Sequence, residues 1–329
     1  MTIPRPLFNR RTVLRTVAAG AAATVTPFIH AQGDRPVSLV VSYPAGGGAD
    51  LMARLIAPHL ASALGRSVVV ENKPGASGQI AANAVAKAAP DGNTLLLDAS
   101  SFAVNPSLFA KLPYDSEKDF TPLGIVALFP NMLVCTPSYE ARTVKDVVRL
   151  AKASPARIAY ASSGNGSAQH LAGALFEDRA GVQLVHVPYR GGGPALTDVM
   201  GGQVPLFFAN VASSLGHIQS GRLRPLGATS RRRARALADV PTMEEAGVPG
   251  YEVLEWNPVL APAGLAPALK TRLRDALRKA SAEPEVLGRI RSLSGEAFPD
   301  GPEGLVTAFL KAQQSQWARI IRERKITAG

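Results

Sequence analysis

Four times in this chain an apolar or mixed run ends in a glycine-bearing loop, and each loop opens onto a helical pattern: residues 43–50, 74–78, 163–169 and 189–194. That recurrence limits the fold more than any other feature of the sequence. The first instance is the clearest. The β-branched, apolar run at Val37, Leu39, Val40 and Val41 stops at Tyr43-Pro44, passes Gly46, Gly47 and Gly48, and resumes with helical spacing at Asp50, Leu51, Leu55, Leu60 and Leu64. A buried strand, a glycine turn and a helix start in that order suit an anion. The turn lets backbone approach the ligand, and the first helical N–H groups face it with the positive end of the helix dipole.

The same alternation runs through the rest of the chain. Strands are expected at 37–42, 67–71, 94–97, 157–161, 183–187, 205–209, 223–228 and 251–261, with an apolar run at 123–136 broken at Pro130. Helices are expected at 50–64, 79–89, 144–153, 168–179, 195–200, 213–220, 266–281, 284–292 and 302–324. Gly65 stands at a helix C-terminal stop and Thr143 at an N-cap. Residues 106–122 read as a proline-rich mixed segment. Alternating strands and helices imply parallel sheets covered by helices, with ligands bound beyond the carboxyl ends of the strands. There are two such series, divided near residue 131, so the expected fold is α/β with two doubly wound domains around a ligand cleft. The boundaries read as 33–133 plus 252–329 for the first domain and 134–251 for the second.

Residues 1–32 are set apart. Arg10-Arg11, an apolar stretch from Val17 to Ile29 and the ending His30-Ala31-Gln32 match a cleaved secretory signal of the twin-arginine type, and hence a periplasmic protein. The apolar stretch is shorter than the ~20 residues of a membrane span. The formal charge of +11 becomes 11 − 4 = +7 without the four arginines of that segment, a surplus suited to steering small anions. The single Cys135 lies in an apolar run and reads as a buried, inert thiol.

Enzyme motifs are missing. There is no G-x-S-x-G elbow, no Walker loop and no H-E-x-x-H, and the dinucleotide fingerprint fails after Gly164-Asn-Gly166. His59, His170, His186 and His217 are too scattered for a metal site, and no cofactor is expected. Ser167 and His170, one helical turn apart, form the only nucleophile-and-base pair on offer, and define the alternative of an exported hydrolase or transferase. The cluster Arg231–Arg235 lacks interleaved aromatics and reads as a solvated loop, not a nucleic-acid surface. What the four loops share is backbone donors and hydroxyls, enough to hold a carboxylate without an arginine; each loop alone is equally well a tight turn. Asp50 reads as the cap that orders the first loop. Ser77 and Ser167 read evenly as caps or ligand donors, and Tyr189 and Trp256 as cleft walls or core.

Taken together, the motifs resemble a known family. Tyr43-Pro-Ala-Gly-Gly-Gly-Ala-Asp50 with Ala53-Arg54, Glu71-Asn-Lys-Pro-Gly-Ala-Ser-Gly78, Pro90-Asp-Gly-Asn-Thr-Leu-Leu96, and Tyr160 through Ser167 with His170-Leu171 come first. His186-Val-Pro-Tyr-Arg-Gly191 with Pro194-Ala195, Asp239-Val-Pro-Thr242, Glu245-Ala-Gly247 and Trp256 through Gly264 follow. In that order they resemble the Bug-type, or tripartite tricarboxylate transporter, periplasmic substrate-binding receptors. The resemblance implies a periplasmic-binding-protein-like fold of type II, closing like a flytrap on a small carboxylate that it hands to a membrane permease. It implies no enzyme activity; a monomer is expected, with a ligand-sensing module for a membrane signalling partner as a further alternative. Carried over to this sequence, the ligand contacts fall at Tyr43, Gly46, Gly47, Gly48, Ser77, Gly78, Ser163, Gly166, Ser167, Tyr189, Gly191 and Asn210. Asp50, Ser100 and Trp256 complete the candidate set. The chain departs from the family at Ser77, near Asn210 and at Pro258.

Overall fold

Strand β1 (Val37–Val41) is buried on both faces, and its alternation sets the architecture. Val37, Leu39 and Val41 enter one hydrophobic cluster while Val40 enters another on the opposite side, as a period of two requires. In this computed structural model, which describes residues 35–302 and 304–327, β1 pairs in parallel with β2 (Val68–Asn72) and β3 (Thr94–Leu97). A second parallel set consists of β5 (Ala159–Ser162), β6 (Val185–Pro188) and β7 (Leu206–Asn210). There Leu206 and Phe208 face one cluster and Phe207 and Ala209 the other.

The two sets are joined through long antiparallel strands rather than standing as wholly parallel sheets, which corrects the sequence expectation. β4 (Phe120–Cys135) and β9 (Leu254–Pro262) run against each other and against their parallel neighbours, giving the order β2-β1-β3-β9-β4-β7-β5-β6. β8 (Arg224–Ala228) and β10 (Glu296–Ala297) add to β4. The break expected at Pro130 is not there. β4 runs through it and changes partner instead: Pro130 lies opposite Leu254 of β9, and the next residue, Asn131, lies opposite Asn210 of β7. A residue without an N–H is tolerated where the ladder changes hands.

Helices cover both faces of each wing. In the first wing lie α1 (Gly48–Leu64), α2 (Gln79–Ala86) and α3 (Ser101–Leu108); in the second lie α4 (Val144–Ala153), α5 (Ala168–Ala180), α6 (Gly192–Met200) and α7 (Val211–Gln219). Gly65 ends α1 in the left-handed conformation, and Thr143 opens α4 with a full capping box through Asp146, both as the sequence indicates. α8 (Pro267–Ala282) buries Leu273, Ala276, Leu277 and Ala280, spaced as one helical stripe, against the cluster that also holds α1. α9 (Pro284–Ser292) follows, with proline in its first turn.

No helix is expected from the sequence at α3, which starts before the proline-rich mixed segment of 106–122 and runs into it, because Pro106 inside it masks the helical signal. It is held by packing: Phe102 and Ala103 enter a first-wing cluster, and Val104 and Leu108 enter a second-wing cluster. The last helix, α10 (Gly304–Arg324), does the same with Leu310 on one side and Trp317 and Ile321 on the other. The expected export signal at residues 1–32 lies outside the described residues. Among the described residues no helix is long and apolar enough to cross a membrane. Cys135 is buried and free.

Candidate functional site

The first glycine loop is tied down from below by Asp50, although not as the helix cap. Helix α1 starts at Gly48 with Gly47 as its N-cap, two residues earlier than expected, because glycine there needs no side-chain acceptor to enter the helix. Asp50 sits in the first turn and reaches back. Its carboxylate accepts from the Gly46 N–H at 3.0 Å, from Arg54 Nε at 3.0 Å and from Asn72 Nδ2 at 2.9 Å. Asn72 Nδ2 also donates to the Tyr43 carbonyl at 2.9 Å, so β2 fixes both ends of the loop. Burial acts to raise the Asp50 pKa, but these hydrogen bonds and the Arg54 charge outweigh it and hold the carboxyl below its ordinary value.

The second loop carries backbone strain. Gly75, Ala76, Ser77 and Gly78 all have positive φ, and for Ala76 (47°) and Ser77 (56°) that conformation costs about 1–2 kcal/mol per residue. Asn105 Nδ2 holds it by donating to the Ser77 carbonyl at 2.9 Å. Beneath it lies Asp98, fully buried at the end of β3. A Cβ on Gly78 would stand 3.0 Å from Asp98 Oδ1, which is why the loop needs glycine there. Asp98 accepts from the Ser42 hydroxyl and from the Ala99 N–H, while its Oδ2 has no partner. Burial pushes its pKa up to about 7, against the lowering effect of Ser42, Ala99 and Ser101. The Tyr43 hydroxyl donates to Ser101 Oγ at 3.0 Å, and burial raises its pKa further above the ordinary value.

In the second wing Ser167 caps α5. Its Oγ accepts from the His170 N–H at 3.3 Å and donates to the Gly164 carbonyl at 2.7 Å. The His170 ring is elsewhere engaged: Nδ1 accepts from the Gly166 N–H at 3.1 Å, and the ring stacks on His186 at 3.8 Å. Burial depresses both imidazoles, His170 to about 4 and His186 to about 3, the latter helped by His170. No hydrogen bond links the imidazole to the Ser167 hydroxyl, so the pair lacks the geometry of an activated nucleophile. Among the described residues no group of three or more His, Cys, Asp or Glu is placed to hold a metal ion.

The two wings meet through glycines. A Cβ on Gly48 would come within 2.9 Å of Asn210 Nδ2, and one on Gly191 within 2.7 Å of the Pro44 ring. Between them lies a cavity of about 20 Å³ walled by Tyr43, Gly47, Gly48, Ser163, Ser167 and Asn210 from the candidate set. Ala49, Ala99, Ala168, Gln169, Gly192, Phe207, Ser213 and Glu255 complete the wall. Four helices begin on it: α1 at Gly48, α5 after Ser167, α6 at Gly192 and α7 after Asn210. No lysine, arginine or histidine is in the wall.

The other candidates stand back from this space. Gly46, Asp50, Ser77, Gly78 and Gly166 shape the loops, and Gly191 precedes α6. Ser100 is buried with its Oγ unpartnered. The Tyr189 hydroxyl donates to Asp198 at 2.7 Å. Trp256 packs in the core against Phe309, with its indole N–H donating to Gln313.

The sequence reading passed over four polar residues. Gln169 Nε2 donates to Asn131 Oδ1 at 3.0 Å and to the carboxylate of Glu255. Asp98 is the fourth. A lone acid inside an apolar strand, as in Leu254-Glu-Trp-Asn-Pro-Val, was the available signal for Glu255.

Comparison with known proteins matches residues 52–326 to the family described as tripartite tricarboxylate transporter family receptor. Protein BugT of Bordetella pertussis is 36% identical over 310 residues, covering 93% of each chain. Among solved structures, Rpa4515 of R. palustris with adipate has a TM-score of 0.85 at 34% identity, covering 89% of this chain and 98% of that one. The periplasmic binding protein BugD has a TM-score of 0.85 at 33% identity, covering 89% and 98%. MatC from Rhodopseudomonas palustris with bound malate has a TM-score of 0.82 at 28% identity, covering 87% and 99%.

Proposed function

We propose, from the premise that this chain belongs to the tripartite tricarboxylate transporter receptor family, that it is a periplasmic receptor closing its two wings on a small carboxylate. The family is one of solute-binding receptors, and the chain is not an enzyme. One observation carries the carboxylate reading: four helix N-termini converge on a cavity whose wall holds no basic side chain. Helix N-termini present unpaired N–H groups and a partial positive charge, and together they attract an anion without a counter-ion side chain. Adipate in one relative's structure and malate in another's are of the same chemical class.

A space of about 20 Å³ holds roughly one water molecule, so a dicarboxylate enters only when the wings part. The wings are joined by β4 and β9, and bending of these strands near Pro130 and Leu254 provides the hinge. The expected boundaries, 33–133 with 252–329 and 134–251, place it there. Residues 1–32 direct export, the mature protein works as a monomer, and the loaded receptor delivers its ligand to a membrane permease.

A panel of mono-, di- and tricarboxylates tests this by thermal melting. A ligand at 100 times its dissociation constant adds about 2.7 kcal/mol. A melting temperature unmoved by every member refutes the reading. Loss of uptake of the binding compound on deletion of the gene tests the transport role, and unchanged uptake overturns it.

A further inference from the structure

The arginine run that follows β8 lies against the joint between the wings. Arg231, Arg232, Arg233 and Arg235 line a cavity of about 370 Å³ together with Arg291, which α9 contributes from the first wing. Leu128 and Pro130 of β4 and Leu254 of β9 supply its apolar surface. Leu254 lines this space while its neighbour Glu255 lines the cleft, so the two cavities lie on opposite faces of β9, as a period of two requires. Glu252 and Glu296 are the acids of the wall. Arg231 Nε pairs with Glu252 at 2.9 Å, and Arg233 Nε with Glu245 at 2.8 Å. Among the described residues Arg232, Arg235 and Arg291 have no side-chain hydrogen bond or ion pair. The wall is therefore positive, and guanidinium groups cannot relieve their repulsion by losing a proton.

The run is also held in place. The Ala236 N–H donates to Ser294 Oγ at 2.8 Å, from one wing to the other, and Arg233 Nη1 donates to the Ala238 carbonyl at 3.0 Å. Leu237 packs against one cluster of each wing. A single exposed arginine gains little from an anion. Several gathered by a fixed backbone around one concave space gain more, because planar guanidinium forks match phosphate oxygens two at a time. We propose that this cavity is a second anion site, behind the hinge, for a compact phosphate-type anion of at least two charges, such as a diphosphate group. Arg232 and Arg235 hold it from the second wing and Arg291 from the first, so the bound anion bridges the wings on the face opposite the cleft. The charges face a concavity with apolar surface within it, which a compact anion enters and a flat charged surface does not.

Titration calorimetry with pyrophosphate at pH 7.5 tests this, in 0.1 M NaCl to screen general attraction between exposed charges. One saturable site per chain is expected. Arg235→Gln and Arg291→Gln, one from each wing, should each weaken it at least tenfold, while Arg157→Gln removes the same charge outside the cavity and should leave it unchanged. No saturable binding overturns the proposal. So does equal weakening by Arg157→Gln, which would mean attraction by net charge alone. Binding that survives both cavity variants places the anion elsewhere, the cleft included, and loss in only one of them refutes the bridge. All three arginines are exposed, and Arg235 and Arg291 are unpaired, so the variants should melt with the wild type. The wild-type titration stands without them, and none of these outcomes bears on the carboxylate reading of the cleft.

Discussion

Replacing Asp98 by asparagine should raise this protein's stability relative to the wild type increasingly as pH rises from acid to alkaline. Asp98 has an ordinary carboxyl pKa of 3.8 when unfolded and one of about 7 in the folded protein, raised first by burial. The native state therefore holds a proton that the unfolded chain releases between these values. Stability falls as pH rises from about 3.8 to about 7, and is level outside that window. Each tenfold difference in proton affinity is worth about 1.4 kcal/mol, so above pH 7 the ionised side chain costs the fold about 4 kcal/mol. Asparagine keeps an oxygen to accept from Ser42 and the Ala99 N–H, and it cannot ionise. Its amide nitrogen, placed where Oδ2 has no partner, adds an offset that does not vary with pH. Urea unfolding of both proteins from pH 4 to pH 9 measures the difference. The variant's advantage should grow by about 4 kcal/mol across the range, a rise in melting temperature of roughly 8 °C at pH 8. Parallel stability curves would refute the argument, since they would mean that Asp98 ionises alike in both states.

Three further outcomes are expected. Asp50→Ala removes the acceptor for Gly46, Arg54 and Asn72 and should destabilise by roughly 2 kcal/mol while weakening carboxylate binding; unaltered melting and affinity would show that the loop orders itself. His170 and His186, neutral when folded with values of about 4 and 3, should make stability fall as pH drops below about 6.5. His186→Phe preserves the stacked ring and should shallow that fall, read as the variant-minus-wild-type difference in urea midpoint so that the opposite slope from Asp98 cancels. Gly191→Ala places a Cβ 2.7 Å from the Pro44 ring at a residue with φ of 122°, and should weaken, at least tenfold, whichever carboxylate shifts the wild-type melting temperature. Equal calorimetric affinity would mean that the wings close without that contact.

The local parts of the site were legible because their physics is local. Glycine between a β-branched run and a helical stripe marks a strand-to-helix turn whatever surrounds it, and Tyr43, Gly47, Gly48, Ser163, Ser167 and Asn210 all stand on the cavity. Asp50 was recognised as the residue that orders the loop, but its position was misread. A cap and a first-turn acid look alike in sequence, and the choice depended on Gly47 already serving as the cap. Trp256 and Tyr189, chosen for their shape, are taken up by Phe309 and Gln313 in one case and by Asp198 in the other. No local pattern distinguishes an aromatic that walls a cleft from one that fills a core.

The sequence by itself determined the alternation of strands and helices, the burial of β1, the stop of α1 at Gly65, the N-cap of α4 at Thr143, and the glycine-bearing loops between strands and helices. These follow from side-chain periodicity and from the few residues that permit a turn or cap. The tertiary structure alone decided the antiparallel course of β4 and β9, the passage of β4 through Pro130, and the helix at Ser101–Leu108. Each rests on partners far away in the chain, whose packing and ladder hydrogen bonds outweigh local propensity. It also decided that Glu255, in the strand that leads back to the first wing, faces the same small cavity as four helix starts. Which charges share one desolvated space is a property of chain closure, and no segment of the sequence carries it.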